Sequence, residues 1–199
     1  MNYLAHAYLS FSKTGILAGN LISDFVKGKK QYDYSTAILH GIKLHRAIDA
    51  FTDSHECIKE IKEFFRADYR LYAAVFADIV CDYFLANDKN EFPSAQSLAS
   101  FSQHTYTQLN QQIEQLPENF QQIFVYMKQH DWLYNYRLES GIQHSFAGVV
   151  RRSLYMKESS TAFNIFMHHK DKMQVHYNQF FPLLKKFSQE TLQKLEKTV

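Results

Sequence analysis

The sequence predicts an all-α protein that folds as a single helical bundle, and three observations support this prediction. Over most of the 199 residues, apolar side chains recur at intervals of three and four, as they do on the buried faces of helices. The strict alternation that is typical of strands is not sustained in any segment. The chain has only six Gly and three Pro, too few for the many tight turns of an all-β fold. Because 46% of the residues are hydrophobic and no repeat or low-complexity linker divides the chain, we expect one domain over residues 1–199.

The first half of the chain is expected to form four helices and one shorter helical segment. Two helices are predicted at about 2–12 and 15–27, the second ended by Gly28. After the polar turn GKKQYDYS, a long helix covers about 35–53, and the short amphipathic segment IKEIKEFF follows it. Asp68 is expected to cap a strongly apolar helix that runs to about residue 87.

The second half is also predicted to be helical. Ser94, together with Gln96 and Ser97, begins a helix that extends to about 115, where Leu-Pro ends it. Further helices are expected at about 118–130, 132–139, 142–156, 159–170 and 172–196.

Composition excludes several classes of protein. The formal charge of +2 indicates no general affinity for nucleic acid or for membranes, and no nucleic-acid-binding motif is present. Cys57 and Cys81 lack CxxC spacing and are expected to be reduced thiols. The N-terminal residues do not resemble a signal peptide, and Asp78 and Asp82 interrupt the most apolar run. We therefore expect a cytoplasmic protein with no membrane partner.

Residue types that bind metal ions occur at helical spacing in four segments. Because residues four apart lie on the same side of a helix, the side chains of each pair or row can bind the same metal ion. All four segments fall within the first 85 residues, and this clustering favours one shared metal site. The segments contain His6; Asn20 and Asp24; His45, Asp49 and Asp53; and Asp78 and Asp82.

Asp78 and Asp82 are the most informative pair, because their helix is apolar on nearly all sides. Two buried carboxylates repel each other, and burying each ionised group costs several kcal/mol of stability unless a cation neutralises it. A divalent metal ion would serve, and so would Arg46 in a structural ion pair.

Each segment also has an explanation that involves no metal. His6 could be a hydrogen-bonded core histidine, Asp24 could pair with Lys27, and Asp53 could cap the next helix. On that interpretation the chain is a non-catalytic helical binding protein whose carboxylates form structural ion pairs. The sequence contains no GxSxG, P-loop or GxGxxG motif that would indicate another class of enzyme.

Two groups of basic residues could bind phosphate or an acidic partner. Lys27, Lys29 and Lys30 follow the second predicted helix directly. Near residues 134–152, arginines accompany aromatic side chains, a combination suited to phosphate groups or to an acidic surface. The arginines are Arg137, Arg151 and Arg152.

Taken together, the motifs resemble those of the acyl carrier protein phosphodiesterase family. They are NYLAH, GNLISDFVKG, GIKLHRAIDAFTD, DIVCDYFL, WLYNYR and VVRR, in this order, and the resemblance extends from residue 2 to the HYNQFFP segment near residue 182. The resemblance implies an all-helical fold related to the HD-domain metal-dependent phosphohydrolases. It also implies hydrolysis of the phosphodiester that joins 4′-phosphopantetheine to a serine of holo acyl carrier protein. One departure is that these motifs contain no adjacent His-Asp pair, the superfamily signature; the one such pair in the chain, His130-Asp131, lies outside them.

The resemblance further implies the cofactor and the partner. The cofactor is a divalent ion, Mn²⁺ first, with Mg²⁺ or Fe²⁺ as alternatives. The partner is the small, acidic carrier protein, and an HD-like nucleotide phosphohydrolase is the alternative activity. Carried over to this sequence, the expected metal ligands are His6, His45, Asp49, Asp78 and Asp82. Asp24 or Asp53 is expected to act as general base, Arg46 to steady phosphate, and Asn20 and the basic groups to contact the substrate.

Overall fold

The computed structural model describes residues 1–197 and confirms the all-α prediction. Within this range the chain forms ten α-helices and four short 3₁₀ helices, and no strand. None of the described helices is both long and apolar enough to cross a bilayer. The α-helices are α1 (Tyr3–Tyr8), α2 (Thr14–Ile22), α3 (Thr36–Ser54), α4 (Glu56–Tyr69), α5 (Ala73–Asn87), α6 (Ala95–Asn110), α7 (Glu118–Gln129), α8 (Trp132–Asn135), α9 (Glu139–Arg152) and α10 (Ser160–Lys197). The 3₁₀ helices are Ser23–Phe25, Gly28–Asp33, Arg70–Tyr72 and Ile113–Gln115.

The first two helices are shorter than predicted. Helix α1 ends at Tyr8, because Phe11 and Ser12 adopt positive φ angles of 51° and 57° that a right-handed helix excludes. Helix α2 gives way to the 3₁₀ helix Ser23–Phe25, and this change of backbone geometry carries Asp24 out of α2.

The prediction that Asp68 caps the apolar helix was wrong. Helix α4 continues through Asp68 to Tyr69, because its buried stripe of Ile58, Ile61 and Phe65 extends to Tyr69. The break falls instead at Arg70, whose φ is 46°.

Helix α10 is a single helix of 38 residues rather than two. The helix continues through the predicted break near residue 171, with Phe166 before it and Met173 after it both buried, and it packs against α3, α4, α5 and α9. The prediction that Ser94 begins α6 is confirmed: Ser94 is its N-cap, and the Ser94 hydroxyl accepts a hydrogen bond from the backbone N–H of Ser97.

Helices α2 and α3 touch backbone to backbone at two glycines. A Cβ atom on Gly19 would lie 1.9 Å from the carbonyl oxygen of Ile38, and one on Gly41 would lie 2.2 Å from that of Ile16. Only glycine allows such an approach. This close contact brings Asn20 of α2 beside His45 of α3.

Candidate metal centre

Helices α1 and α3 together place two histidines and one carboxylate at a common point. His6, His45 and Asp49 each present one ligand atom, and these atoms all lie within 4.8 Å of one another. Nε2 of His6 is 3.2 Å from Oδ1 of Asp49, and Nε2 of His45 is 3.0 Å from its Oδ2. The two imidazole rings stack with their centroids 4.0 Å apart. The i, i+4 pair in α3 and the histidine of α1 therefore converge.

Asn20 holds both imidazole rings from the side opposite Asp49. Its carboxamide oxygen is 2.8 Å from Nδ1 of His6, and its backbone carbonyl oxygen is 2.7 Å from Nδ1 of His45. Because both partners are acceptors, each Nδ1 donates a proton, and this leaves each Nε2 directed at the common point. The carboxamide NH₂ of Asn20 donates to the carbonyl oxygen of His6 and to the hydroxyl of Ser10.

Three buried atoms at this point have no hydrogen-bond partner among the described residues. They are Nε2 of His6, Nε2 of His45 and Oδ1 of Asp49. Buried polar atoms left without a partner are costly, and here two ring nitrogens and a carboxylate oxygen face one another. A divalent cation would satisfy all three atoms at once. Two imidazoles and one carboxylate are a typical ligand set for a first-row transition metal ion. The residues at this point therefore fit a metal ion.

The two histidines have opposite pKa shifts. For His6, burial and the neighbouring His45 lower the pKa to about 4, so this ring is neutral at physiological pH. For His45, burial alone would lower the pKa, but the nearby carboxylates of Asp24 and Asp49 outweigh it and raise the pKa to about 9. In the absence of a metal ion, the positive charge that the cluster requires is thus a proton on His45.

Asp24 approaches the same point from the solvent side. Its Oδ1 lies 3.3 Å from Nε2 of His45, while its side chain remains 80% exposed. The contact with His45 is the main cause of a lowered pKa for Asp24, which is therefore ionised at neutral pH. Asp24 is a carboxylate that reaches both the cluster and water.

A second cation sits next to the cluster. The buried amino group of Met1 lies 3.1 Å from Oδ1 of Asp78 and 3.5 Å from Oδ1 of Asp49. Burial raises the pKa of Asp78, although this amino group opposes the shift. Asp78 is therefore linked to the cluster through this amino group, and its oxygens are not among the ligand atoms that converge with those of His6 and His45. The alternative in which Arg46 pairs with Asp78 was wrong, because the amino group of Met1 pairs with Asp78 and Arg46 bonds to Gln31 and Val26.

The structure gives Asp82 a different role from metal binding. Its Oδ2 accepts a hydrogen bond from the N–H of Leu4 at 2.7 Å, and its Oδ1 accepts from those of Asn2 and Ala5 at 3.3 Å. This fully buried carboxylate thus binds the free N–H groups at the start of α1. The prediction that Asp82 is a ligand is corrected on this ground: its oxygens are occupied by the backbone of the helix that carries His6.

Asp53 and Arg46 also lie apart from the cluster, contrary to expectation. Asp53 is eight residues beyond His45 along α3, and its exposed carboxylate is paired with Lys62 at 2.7 Å. Arg46 projects the other way and donates hydrogen bonds to Gln31 and to the carbonyl oxygen of Val26, at 2.9 and 3.2 Å. Neither side chain is brought to the point where the histidines meet.

A cavity of about 260 Å³ opens onto the cluster. His6, His45, Asp24 and Asp78 line it, and Arg152 from the end of α9 joins them. Asn20, which was expected to contact the substrate, also reaches the cavity lining. Sequence analysis missed its apolar wall, which had no signal beyond ordinary hydrophobic periodicity; the wall consists of Leu21, Val75, Ile79 and Val149.

The other predicted basic residues lie outside this cavity. Lys27, Lys29 and Lys30 are exposed on the segment that follows Asp24, and Arg151 is exposed beside Arg152. Arg137 stacks on the ring of Tyr134, with 5.2 Å from its guanidinium carbon to the ring centroid, and donates to that hydroxyl. The structure therefore brings Arg152, and none of these other basic residues, to the cavity.

Comparison with known proteins agrees with the resemblance read from the motifs. Residues 1–184 match the model of the family described as acyl carrier protein phosphodiesterase. A relative of that name from Photorhabdus laumondii is 30% identical over 92% of this chain and 93% of its own length. Relatives of the same name from Yersinia enterocolitica and Enterobacter are also 30% identical, covering 96% and 92% of this chain and 98% and 94% of their own. No solved structure matches the chain. With the match extending over nearly the whole chain, this protein belongs to the acyl carrier protein phosphodiesterase family.

Proposed function

We propose that this protein is a cytoplasmic, metal-dependent phosphodiesterase that acts on holo acyl carrier protein. The reaction would cleave the phosphodiester between 4′-phosphopantetheine and the carrier's serine, and it would release apo acyl carrier protein and 4′-phosphopantetheine. One observation supports this most strongly: three buried ligand atoms without partners converge at the end of a cavity that also contains an arginine. The names of the relatives supply the substrate class.

His6, His45 and Asp49 would hold the ion, and Asp78 would support Asp49 through the amino group of Met1, which contacts both carboxylates. The mixed set of imidazole and carboxylate ligands suits Mn²⁺ or Fe²⁺ better than Mg²⁺, which prefers oxygen ligands alone. A bound divalent ion supplies charge neutralisation for the phosphate oxygens and lowers the pKa of a water molecule.

Asp24 is the residue best placed to act as general base. It is ionised, it lies 3.3 Å from His45, and its side chain is open to solvent. A carboxylate in that position accepts a proton from the attacking water and returns it to bulk solvent. Asp53, the other residue expected for this role, is paired with Lys62 away from the cavity.

Arg152 would bind the phosphodiester. It lines the cavity together with the histidines, and none of the described carboxylates forms an ion pair with it. A guanidinium binds two phosphate oxygens at once and neutralises their charge, the role expected earlier of Arg46. The apolar wall, which includes Val75 and Ile79, would pack against the 4′-phosphopantetheine group and exclude water from it.

The exposed lysines after Asp24 would attract the acidic carrier. Lys27, Lys29 and Lys30 are solvent-exposed, and exposed charges of this kind increase the rate of association with an oppositely charged partner. Replacing Lys29 and Lys30 with Glu is expected to raise KM with little change in kcat, and added salt should diminish the difference between variant and wild type.

The structural relation of this fold to the HD-domain phosphohydrolases remains a prediction.

A direct test is to incubate the protein with holo acyl carrier protein and to follow conversion to the apo form by intact-protein mass spectrometry. Activity should disappear after chelation and return with Mn²⁺, and Asp24→Asn should lower kcat by at least tenfold, which is about 1.4 kcal/mol in the barrier. Nucleotides assayed in parallel test the alternative activity. Turnover of nucleotides without turnover of holo acyl carrier protein would overturn the proposed substrate. Turnover of the carrier unaffected by chelation would overturn the metal dependence.

A further inference from the structure

The most exposed large hydrophobic side chains lie within four residues, along the chain, of side chains that line the cavity. Leu71, Leu154 and Tyr155 are 94%, 89% and 81% exposed, the three highest values for such side chains among residues 1–197. Leu71 lies about one helical turn before Val75, which lines the cavity. Leu154 and Tyr155 follow Arg152, which lines it as well. Scattered surface hydrophobics are ordinary, but the three most exposed ones all belong to the two segments that adjoin the cavity lining, and this indicates an interaction surface.

The same two segments carry positive charge that no described carboxylate neutralises. Arg70 and Arg151 are exposed and form no ion pair within residues 1–197. The acidic residues nearest to them along the chain are Asp68 and Glu158. Glu158 is engaged at the start of α10, where it accepts a hydrogen bond from the N–H of Thr161 at 3.0 Å. These two segments thus combine exposed apolar side chains with unpaired arginines.

We propose that this rim, defined as Arg70, Leu71, Arg151, Leu154 and Tyr155, is the docking surface for the acidic carrier protein. The inference rests on the proposed function and adds where the partner binds. A cavity of about 260 Å³ is far too small for a protein, and the carrier's serine is joined directly to the phosphate that must reach Arg152. The carrier surface around that serine is therefore held against the rim. Its negative charge complements the arginines, while Tyr155 and the leucines supply the aromatic and apolar contacts that dominate such interfaces.

The test compares two double variants of exposed residues. Leu154→Ser with Tyr155→Ser removes apolar rim contacts; Val125→Ser with Tyr126→Ser makes matched changes on α7, where these side chains are 57% and 59% exposed. The proposal predicts that the rim variant raises KM for holo acyl carrier protein by at least tenfold, with kcat at saturation within twofold of wild type. The α7 variant should match wild type in both parameters. Unfolding temperature, measured for both variants, verifies that each is folded.

The outcomes separate this proposal from the proposed function. If the wild-type protein converts holo acyl carrier protein and the rim variant has an unchanged KM, the docking surface is wrong and the function stands. An equal rise in KM for both variants would also overturn it, because the effect would not be specific to the rim. If the wild-type protein does not convert holo acyl carrier protein, the proposed function fails, and this assignment of the partner fails with it.

Discussion

The carboxamide oxygen of Asn20 lies 2.8 Å from Nδ1 of His6, on the edge of the ring opposite the nitrogen that faces Asp49. This contact fixes the ring orientation of His6, while the backbone of the same residue fixes that of His45. Since any replacement of Asn20 keeps its backbone carbonyl, a substitution should release His6 and leave His45 oriented.

We predict that Asn20→Ala lowers Mn²⁺ affinity by about 10–100-fold, the usual effect of losing a partner that orients a ligating histidine. Calorimetric titration with Mn²⁺ measures it. Gln108→Ala is the matched control, because Gln108 is a buried amide that donates to Ser12 and Thr14 away from the cluster. It should cost stability and leave Mn²⁺ affinity unchanged. Equal Mn²⁺ affinities for the Asn20 variant and wild type would show that the carboxamide does not position His6.

The glycine contact between α2 and α3 yields a second prediction. A Cβ on Gly41 would lie 2.2 Å from a carbonyl oxygen, so Gly41→Ala must push the two helices apart and separate Asn20 from His45. We expect a loss of about 1–3 kcal/mol in the free energy of unfolding, measured with urea, and weaker Mn²⁺ binding. In Gly148→Ala the new Cβ would have no neighbour nearer than 3.5 Å, so this control should be neutral or slightly stabilising. A Gly41 variant as stable as wild type would contradict the described helix contact.

Asp82→Ala should destabilise the protein by about 1–3 kcal/mol, because three backbone N–H groups at the start of α1 would lose their acceptor. Asp53→Ala serves as the control; its exposed ion pair with Lys62 should be worth less than about 1 kcal/mol. Urea unfolding of the metal-free proteins measures both. If Asp82→Ala retained full stability but lost Mn²⁺, Asp82 would be a ligand after all.

Proton release on metal binding provides a test at His45. Its pKa is raised to about 9 in the metal-free protein, so at pH 7 this ring is protonated and must lose its proton before Nε2 can bind an ion. His6, with its pKa lowered to about 4, is already neutral. Titrations in buffers of different ionisation enthalpy should therefore show about one proton released per ion at pH 7. Affinity should rise with pH up to about 9 and level off above it. A buffer-independent enthalpy would contradict the proton on His45.

The helices and part of the site could be predicted from sequence because both depend on local spacing. Helical periodicity locates most helices, and the i, i+4 spacing of His45 and Asp49 already places them on one side of α3. The ends of the helices were harder to predict. Helix α4 ends because Arg70 adopts a positive φ angle, whereas the sequence pattern favoured Asp68, a common capping residue. Spacing alone cannot indicate which neighbour a side chain meets.

Asp53 and Asp82 show why the remaining residues were misplaced. Asp53 continues the row of His45 and Asp49 in sequence, yet Lys62 of α4 pairs with it, a contact set by how α3 and α4 pack. Asp82 was correctly expected to need positive partners, but these are the N–H groups at the start of α1, 77 to 80 residues away along the chain. Both outcomes depend on tertiary packing, which the local pattern does not contain.

Mn²⁺ binding by electron paramagnetic resonance tests the central claim most directly, because the free ion gives a signal that is lost on binding. Wild-type protein, stripped of metal and titrated with Mn²⁺, should remove the free-ion signal, and Asp53→Asn should do the same. His45→Ala and Asp49→Asn should leave the signal intact at the same concentrations, with thermal unfolding showing that both remain folded. If the wild-type protein leaves the free-ion signal unchanged, or if the His45 and Asp49 variants bind Mn²⁺ as wild type does, then His6, His45 and Asp49 are not a metal centre.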